Sequence, residues 1–113
     1  MSEWLVACLC AEWCGSCRDY HAVFDAARAH LADRARFAWI DIEDHPDALG
    51  AIEVEDFPAL LIARGDEIAF FGSITPHAAA LARLVETALA GALGHVKDPR
   101  LAGVPARVRA LAG

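Results

Sequence analysis

Residues 10–18 read Cys-Ala-Glu-Trp-Cys-Gly-Ser-Cys-Arg, with Cys14 and Cys17 three positions apart where an apolar run gives way to a helical pattern. Thiols one helical turn apart fall within bridging reach, so this pair can close a disulfide and reopen it. The unsatisfied amides at a helix start carry partial positive charge and favour a thiolate on the first cysteine. The chemistry this predicts is dithiol–disulfide exchange, with Cys14 attacking and Cys17 resolving the mixed disulfide. Trp13 beside the pair offers an apolar contact surface, or else it is a packing residue; Glu12 reads as a solvated charge. His21 lies four residues after Cys17 and seven after Cys14, on the same helix face. An imidazole there can accept the Cys17 proton or stabilise a thiolate. The plainer alternative is an ordinary helix histidine, with direct proton transfer to water.

The chain holds four cysteines, so Cys8, Cys10, Cys14 and Cys17 also supply enough thiolates for zinc or an iron–sulfur cluster. Strand geometry weighs against that arrangement. In a strand over residues 4–10, Cys8 and Cys10 point to one face about 6.6 Å apart, inside the sheet, while Cys14 lies past its end. Metal is therefore not expected. Buried cysteines commonly serve as small hydrophobes; the further alternative is that Cys8 and Cys10 pass oxidising equivalents to the active pair or form another bridge.

The elements that must hold the dithiol follow from the apolar pattern. Trp4–Cys10 is a continuous apolar run, suited to a buried strand of a parallel sheet. A helix is expected from about Cys14 to Ala32, with Phe24, Ala27 and Leu31 facing inward and Arg34 and Arg36 near its carboxyl end. Arg36–Ile42 reads as a second strand, parallel to the first through a right-handed crossover. Pro46 opens a short helical segment to about Ile52. Ala59–Ala63 and Ile68–Phe71 form a hairpin about the turn Arg64-Gly65-Asp66-Glu67. Thr75 can cap a last helix with Pro76 at its first position; that helix buries Leu81, Leu84, Val85, Ala88 and Leu89 and ends near Gly91 or Gly94.

Composition bounds the rest. One domain is expected at 113 residues, and 25 of the apolar residues are alanine, so the core rests on Trp4, Leu5, Phe24, Leu31, Phe37, Leu60, Ile62 and Phe70. No apolar run approaches the roughly 18 residues of a membrane span, and the start Met-Ser-Glu-Trp lacks the pattern of a secretory signal, so a cytoplasmic address is the expectation. Residues 1–94 carry six basic and fifteen acidic side chains, residues 95–113 four and one. An acidic body disfavours nucleic acid, whose affinity is mostly phosphate neutralisation. The basic tail can lean on that body or, with only four charges, touch RNA or a membrane; neither nucleic acid nor membrane is expected as a partner.

The order β-α-β-α-β-β-α plus a tail, with Ala11-Glu12-Trp13-Cys14-Gly15-Ser16-Cys17 and, about forty residues on, Asp56-Phe57-Pro58-Ala59-Leu60-Leu61-Ile62, resembles thioredoxin. The turn at Gly65 and Gly72 before the last helix match as well, and the likeness covers roughly residues 4–92. It implies an α/β, thioredoxin-like fold with a shortened four-stranded mixed sheet, residues 1–94 forming the domain and 95–113 a basic tail. It also implies a cis peptide bond before Pro58 that turns the Phe57 backbone towards the dithiol, where a substrate strand can pair; otherwise Pro58 merely starts a strand. Substrate contact would fall to Trp13, Gly15, Ser16, Phe57 and Pro58. The working group would be the Cys14–Cys17 disulfide with no other cofactor. The partners would be protein disulfide substrates and an upstream electron donor such as a thioredoxin reductase.

The sequence departs from the family at several points. It begins at the active-site strand, where members usually carry an extra strand and helix before it. The family's buried acid falls at Cys8, its partner lysine at Trp39, the nearby aromatic at Cys10, the second residue between the cysteines at Ser16, and the helix-bending proline at Ala22. Without the first strand and helix, Arg36–Ile42 is a bare sheet edge. The tail is expected to cover the exposed region with a helix over Pro105–Leu111 that presents Val104, Val108 and Leu111; the rival is edge pairing in a homodimer. The expected function is a protein thiol–disulfide oxidoreductase that reduces partner disulfides; the alternative is a redox-inactive binding or scaffold domain of the same fold.

Overall fold

The computed structural model describes residues 4–10, 15–45, 59–73, 78–94 and 96–112. Four strands, β1 (Trp4–Cys10), β2 (Arg36–Asp41), β3 (Ala59–Arg64) and β4 (Glu67–Ser73), form one mixed sheet in the order β2-β1-β3-β4. β1 runs parallel to β2 and antiparallel to β3, and β3 pairs antiparallel with β4. Helix α1 (Gly15–Leu31) makes the crossover from β1 to β2; α2 (Ala78–Leu89) follows β4, and α3 (Val104–Ala112) ends the chain after a 3-10 turn at Pro99–Leu101. This is the expected α/β architecture, with β1 central and β2 and β4 at the edges. The expected short helix after Pro46 and the Thr75-Pro76 cap lie outside the described residues.

β1 is apolar throughout because both of its faces are covered. Strand alternation sends Leu5, Ala7 and Leu9 one way and Val6, Cys8 and Cys10 the other. The first set packs with Ala38, Ile40, Ala59, Leu61, Ala63, Ile68, Leu101, Val104 and Val108. The second packs with Leu60 and Ile62 of β3, with Cys17, Tyr20, Phe24, Ala27 and Leu31 of α1, and with Leu81, Val85 and Ala88 of α2. The α1 residues recur at steps of three and four, the period of one helix face. Trp4, Phe37 and Phe70, expected in the core, are half-buried at its margin.

The chain after α2 turns back across the other face. Gly91 adopts φ +78° and its N–H donates to the Ala88 carbonyl at 2.9 Å, ending α2 in the left-handed conformation that glycine takes without strain. Val96 then donates its N–H to the Ile68 carbonyl of β4 at 2.7 Å. Asp98 caps the 3-10 turn, accepting from the Arg100 backbone N–H at 3.0 Å. Val104 and Val108 of α3 are fully buried against β1 and β2, and the Arg109 Nη1 donates to the Gly65 carbonyl in the β3–β4 turn at 2.6 Å. Leu111 departs from expectation: it is 39% exposed. One further turn carries α3 about 5 Å along its axis, and Leu111 lies at the lip of an open groove beside β2 with Phe37, Trp39 and His45.

Candidate active site

The carboxyl end of β1 and the first turn of α1 meet at the cysteines. Cys10 is the last residue of β1, and Cys17 stands one turn into α1 on the inward stripe that continues through Tyr20 and Phe24. That stripe turns Cys17 toward the strand, and its side chain is 1% exposed. Cys10 and Cys17 are joined as a disulfide, their Cα atoms 5.8 Å apart, within the usual bridging range. Cys8 is a free, buried thiol with its Sγ 3.5 Å from the Cys10 Sγ, and only the Cys8 S–H can donate, because Cys10 is disulfide-bonded. Three sulfurs thus form a row from the middle of β1 to the start of α1.

Sequence reading expected Cys17 to pair with Cys14, and treated Cys10 only as a possible alternative bridge. The signal for the Cys10–Cys17 contact was present: extending the inward stripe of α1 back from Phe24 by seven residues reaches Cys17, and strand alternation puts Cys8 and Cys10 on the face that α1 covers. Of the other expected site residues, Gly15 begins α1 and is exposed, with open space where a Cβ would stand. The backbone of Ser16 belongs to the first turn of α1. Cys14, Trp13, Phe57 and Pro58 lie outside the described residues, so the Cys14–Cys17 spacing and the Phe57–Pro58 peptide rest on sequence.

Electrostatics around the row are set by desolvation. Burial pushes the Cys8 thiol up to about 12 from an ordinary value of 9.0, so it stays protonated at neutral pH. It cannot act as the ionised buried acid whose position it occupies. Tyr20, which sequence reading passed over, is fully buried on α1; burial first, and then the Cys8 sulfur, raise its hydroxyl above the ordinary value. That hydroxyl has no hydrogen-bond partner among the described residues. His21 is exposed and directed elsewhere: its Nδ1 lies 3.1 Å from Asp25 Oδ2, and its ring meets that of Trp39 at 4.5 Å between centroids. Trp39 in turn packs edge-on against Phe24, which fixes the outer side of α1 over β2. Among the described residues no three His, Cys, Asp or Glu side chains are arranged to hold a metal ion, and no helix is long and apolar enough to cross a membrane.

The family model for thioredoxin matches residues 2–87 of this sequence. The chain belongs to the thioredoxin family. It is 30% identical over 59 residues to a thioredoxin of Rhodospirillum rubrum, a match covering 52% of this chain and 57% of that protein. It is also 30% identical over 70 residues to putative thioredoxin 2 of Streptomyces coelicolor, covering 62% and 51% respectively. The chain thus spans a little over half the length of these curated relatives. Among solved structures, the germline-specific thioredoxin Deadhead of Drosophila melanogaster superposes with a TM-score of 0.67 at 15% identity, covering 74% of this chain and 79% of that one. Human ERp44, in a zinc-bound form, gives 0.67 at 18% identity over 78% of this chain and 27% of that one. At such identities the structural likeness speaks for the thioredoxin fold.

Proposed function

We propose that the protein is a thiol–disulfide oxidoreductase that reduces disulfides in partner proteins through Cys14 and Cys17. The observation that carries this reading is the position of Cys17, buried in the first turn of α1 at the carboxyl end of the central strand, with Cys14 immediately before the first helical residue. No acidic side chain occupies the first turn of α1, so the helix-terminal field favours a thiolate at Cys14.

The Cys14 thiolate attacks one sulfur of a substrate disulfide, and the other substrate sulfur leaves as thiolate. Cys17 then loses its proton and attacks the Cys14 sulfur; the substrate's remaining sulfur leaves reduced and the Cys14–Cys17 bond forms. A donor dithiol, such as that of a thioredoxin reductase, returns the pair to thiols. Trp13, Gly15, Ser16, Phe57 and Pro58 would line the substrate, and the open space at Gly15 suits close approach of an extended chain. His21 faces Asp25 and Trp39, so the Cys17 proton would pass directly to water. A cytoplasmic setting fits the reductant role.

Insulin reduction with dithiothreitol as donor tests the reading. Cys14→Ser should fall to the uncatalysed rate, and Cys17→Ser should accumulate a mixed disulfide between Cys14 and insulin, visible as a mass increase. A wild-type protein with no reversible dithiol couple would sink the enzyme reading and leave a redox-inactive binding domain. A potential below about −230 mV would support a reductase, since thioredoxin and glutaredoxin couples lie near there.

A further inference from the structure

We infer that Cys10 is a third redox-active cysteine, which displaces Cys14 as the disulfide partner of Cys17 after each oxidation. The inference rests on the proposed reductase reading, because that turnover creates the Cys14–Cys17 bond on which Cys10 acts. Its observation is the row of sulfurs on the α1 side of β1: Cys10 bonded to Cys17, with Cys8 at 3.5 Å behind it.

The exchange needs no external oxidant or reductant. Cys10, as thiolate, attacks the Cys17 sulfur; a Cys10–Cys17 bond forms and the Cys14–Cys17 bond breaks. Cys14 leaves with the electron pair and takes up the proton that Cys10 gave up. Two features favour this direction. The leaving group departs at a helix N-terminus, where a thiolate is stabilised and therefore leaves readily. The product moves the one thiol of the pair from the buried Cys10 to Cys14 and leaves both buried sulfurs, Cys10 and Cys17, bonded to each other among Val6, Leu60, Phe24 and Tyr20. The cost is ionising Cys10 in a buried site, and an S–H···S bond from Cys8 lowers it. A thiol that keeps its proton can only donate toward a neighbouring thiolate, and the Cys8 sulfur stands at S–H···S distance. Cys8 is thus a positioning residue for the exchange.

The functional consequence is a change of mode. With Cys17 held by Cys10, Cys14 is again a thiol and can attack a second substrate disulfide, but the thiol that would resolve the adduct is engaged. The oxidised protein would then retain a substrate in a mixed disulfide, where the reduced protein releases it.

Peptide mapping of the full chain decides the matter. Wild-type protein is oxidised with diamide, sampled over time, quenched in acid, blocked with N-ethylmaleimide in denaturant so that buried thiols react, and cleaved after Glu12 so that Cys10 and Cys14 part company. The expected result is an early Cys14–Cys17 link that gives way to a Cys10–Cys17 link, with the maleimide on Cys14 and Cys8. A Cys14–Cys17 link at all times, with the maleimide on Cys8 and Cys10, would overturn the inference and leave the reductase reading intact. A Cys10–Cys17 link that forms with no Cys14–Cys17 precursor, in a protein inactive on insulin, would remove both and leave a plain structural bridge. Thiol counts supply a second check. Cys14→Ser should lose two of its three remaining thiols on oxidation, and Cys10→Ala/Cys14→Ser neither of its two; a Cys14→Ser protein that keeps all three would overturn the inference. Cys8→Ala, which removes the S–H donor, should slow the appearance of the Cys10–Cys17 link at neutral pH more than at pH 9, whereas a purely packing role would leave that pH dependence unchanged.

Discussion

Cys8 and Tyr20 are buried groups whose proton affinity is raised first by burial, to which the Cys8 sulfur adds for Tyr20. Cys8 holds its proton to about 12 in the fold, against 9.0 for an ordinary thiol. Between those values the folded chain binds more protons than the unfolded one, so stability falls as pH rises. The contribution is intact below about pH 9 and fades from there toward 12, up to about 4 kcal/mol at the rate of 1.4 kcal/mol per pKa unit. Urea midpoints measured at pH 8, 9 and 10 should therefore decline, and Cys8→Ala, though less stable at pH 8, should decline less steeply. Tyr20 makes a separate case. Deleting an unpartnered buried hydroxyl removes its desolvation penalty, so Tyr20→Phe should leave stability unchanged or raise it by about 1 kcal/mol; a clear loss in the same titration would show that the hydroxyl has found a partner. Cys8 was legible as a buried strand residue from the apolar run around it, whereas Tyr20 was passed over. A tyrosine at an inward helix position reads as core, and what its hydroxyl meets depends on strands far away in the chain.

At the scale of elements, α3 owes its place to a short apolar stripe. Val104 and Val108 face Leu5, Ala7, Leu9 and Ile40, while Arg109 ties the helix to the β3–β4 turn. Val108→Ala removes two buried methyl-sized groups and leaves a small cavity, about 2 kcal/mol together. Val108→Asp puts an unpaired charge on an apolar sheet face and should cost more. Thermal melts of both, and of a chain ending at Gly94, should show Tm falling in that order, the shortened chain lowest because it bares one whole face of β1. Gly91→Ala should cost about 1 kcal/mol through its positive φ. The elements were legible to the degree that their pattern was local. The apolar run Trp4–Cys10 and the hairpin about Gly65 fall at the expected residues, within one or two at their ends. α1 runs unbroken from Gly15 to Leu31, as alanine at position 22 permits. Leu111 was misplaced because helical phase gives the direction of a side chain, while the extent of the sheet beneath it is a tertiary fact. The pairing of Cys10 with Cys17 escaped for a kindred reason: each lay on a pattern correctly read, but the two patterns were not laid over one another.

For the whole molecule, the governing fact is that β1 is central, with α1 and α2 on one face and α3 on the other. The radius of gyration, 12.7 Å, matches the roughly 13 Å of a compact domain of this length, and residues 96–112 add to the body through Leu101, Val104 and Val108. A Cys10–Cys17 bond ties the central strand to its crossover helix across a sequence separation of seven. Closing so short a loop constrains the unfolded chain by about 2 kcal/mol in the chain-entropy account. Calorimetry of oxidised and reduced protein should place the oxidised form several degrees higher, a difference that Cys10→Ala should narrow to whatever a Cys14–Cys17 bond alone supplies.

The fully covered, unbonded Cys8 also gives the protein a gauge of its own breathing. A maleimide or aromatic disulfide reagent can reach that sulfur only when the sheet and α1 part, so its labelling rate is the intrinsic thiol rate multiplied by the population of opened molecules. An opening free energy of about 5 kcal/mol would slow labelling some thousands-fold relative to a free thiol. Repeating the measurement in low urea would tell whether the core opens by lifting one helix or only by unfolding outright, since the slope reports how much surface each opening exposes.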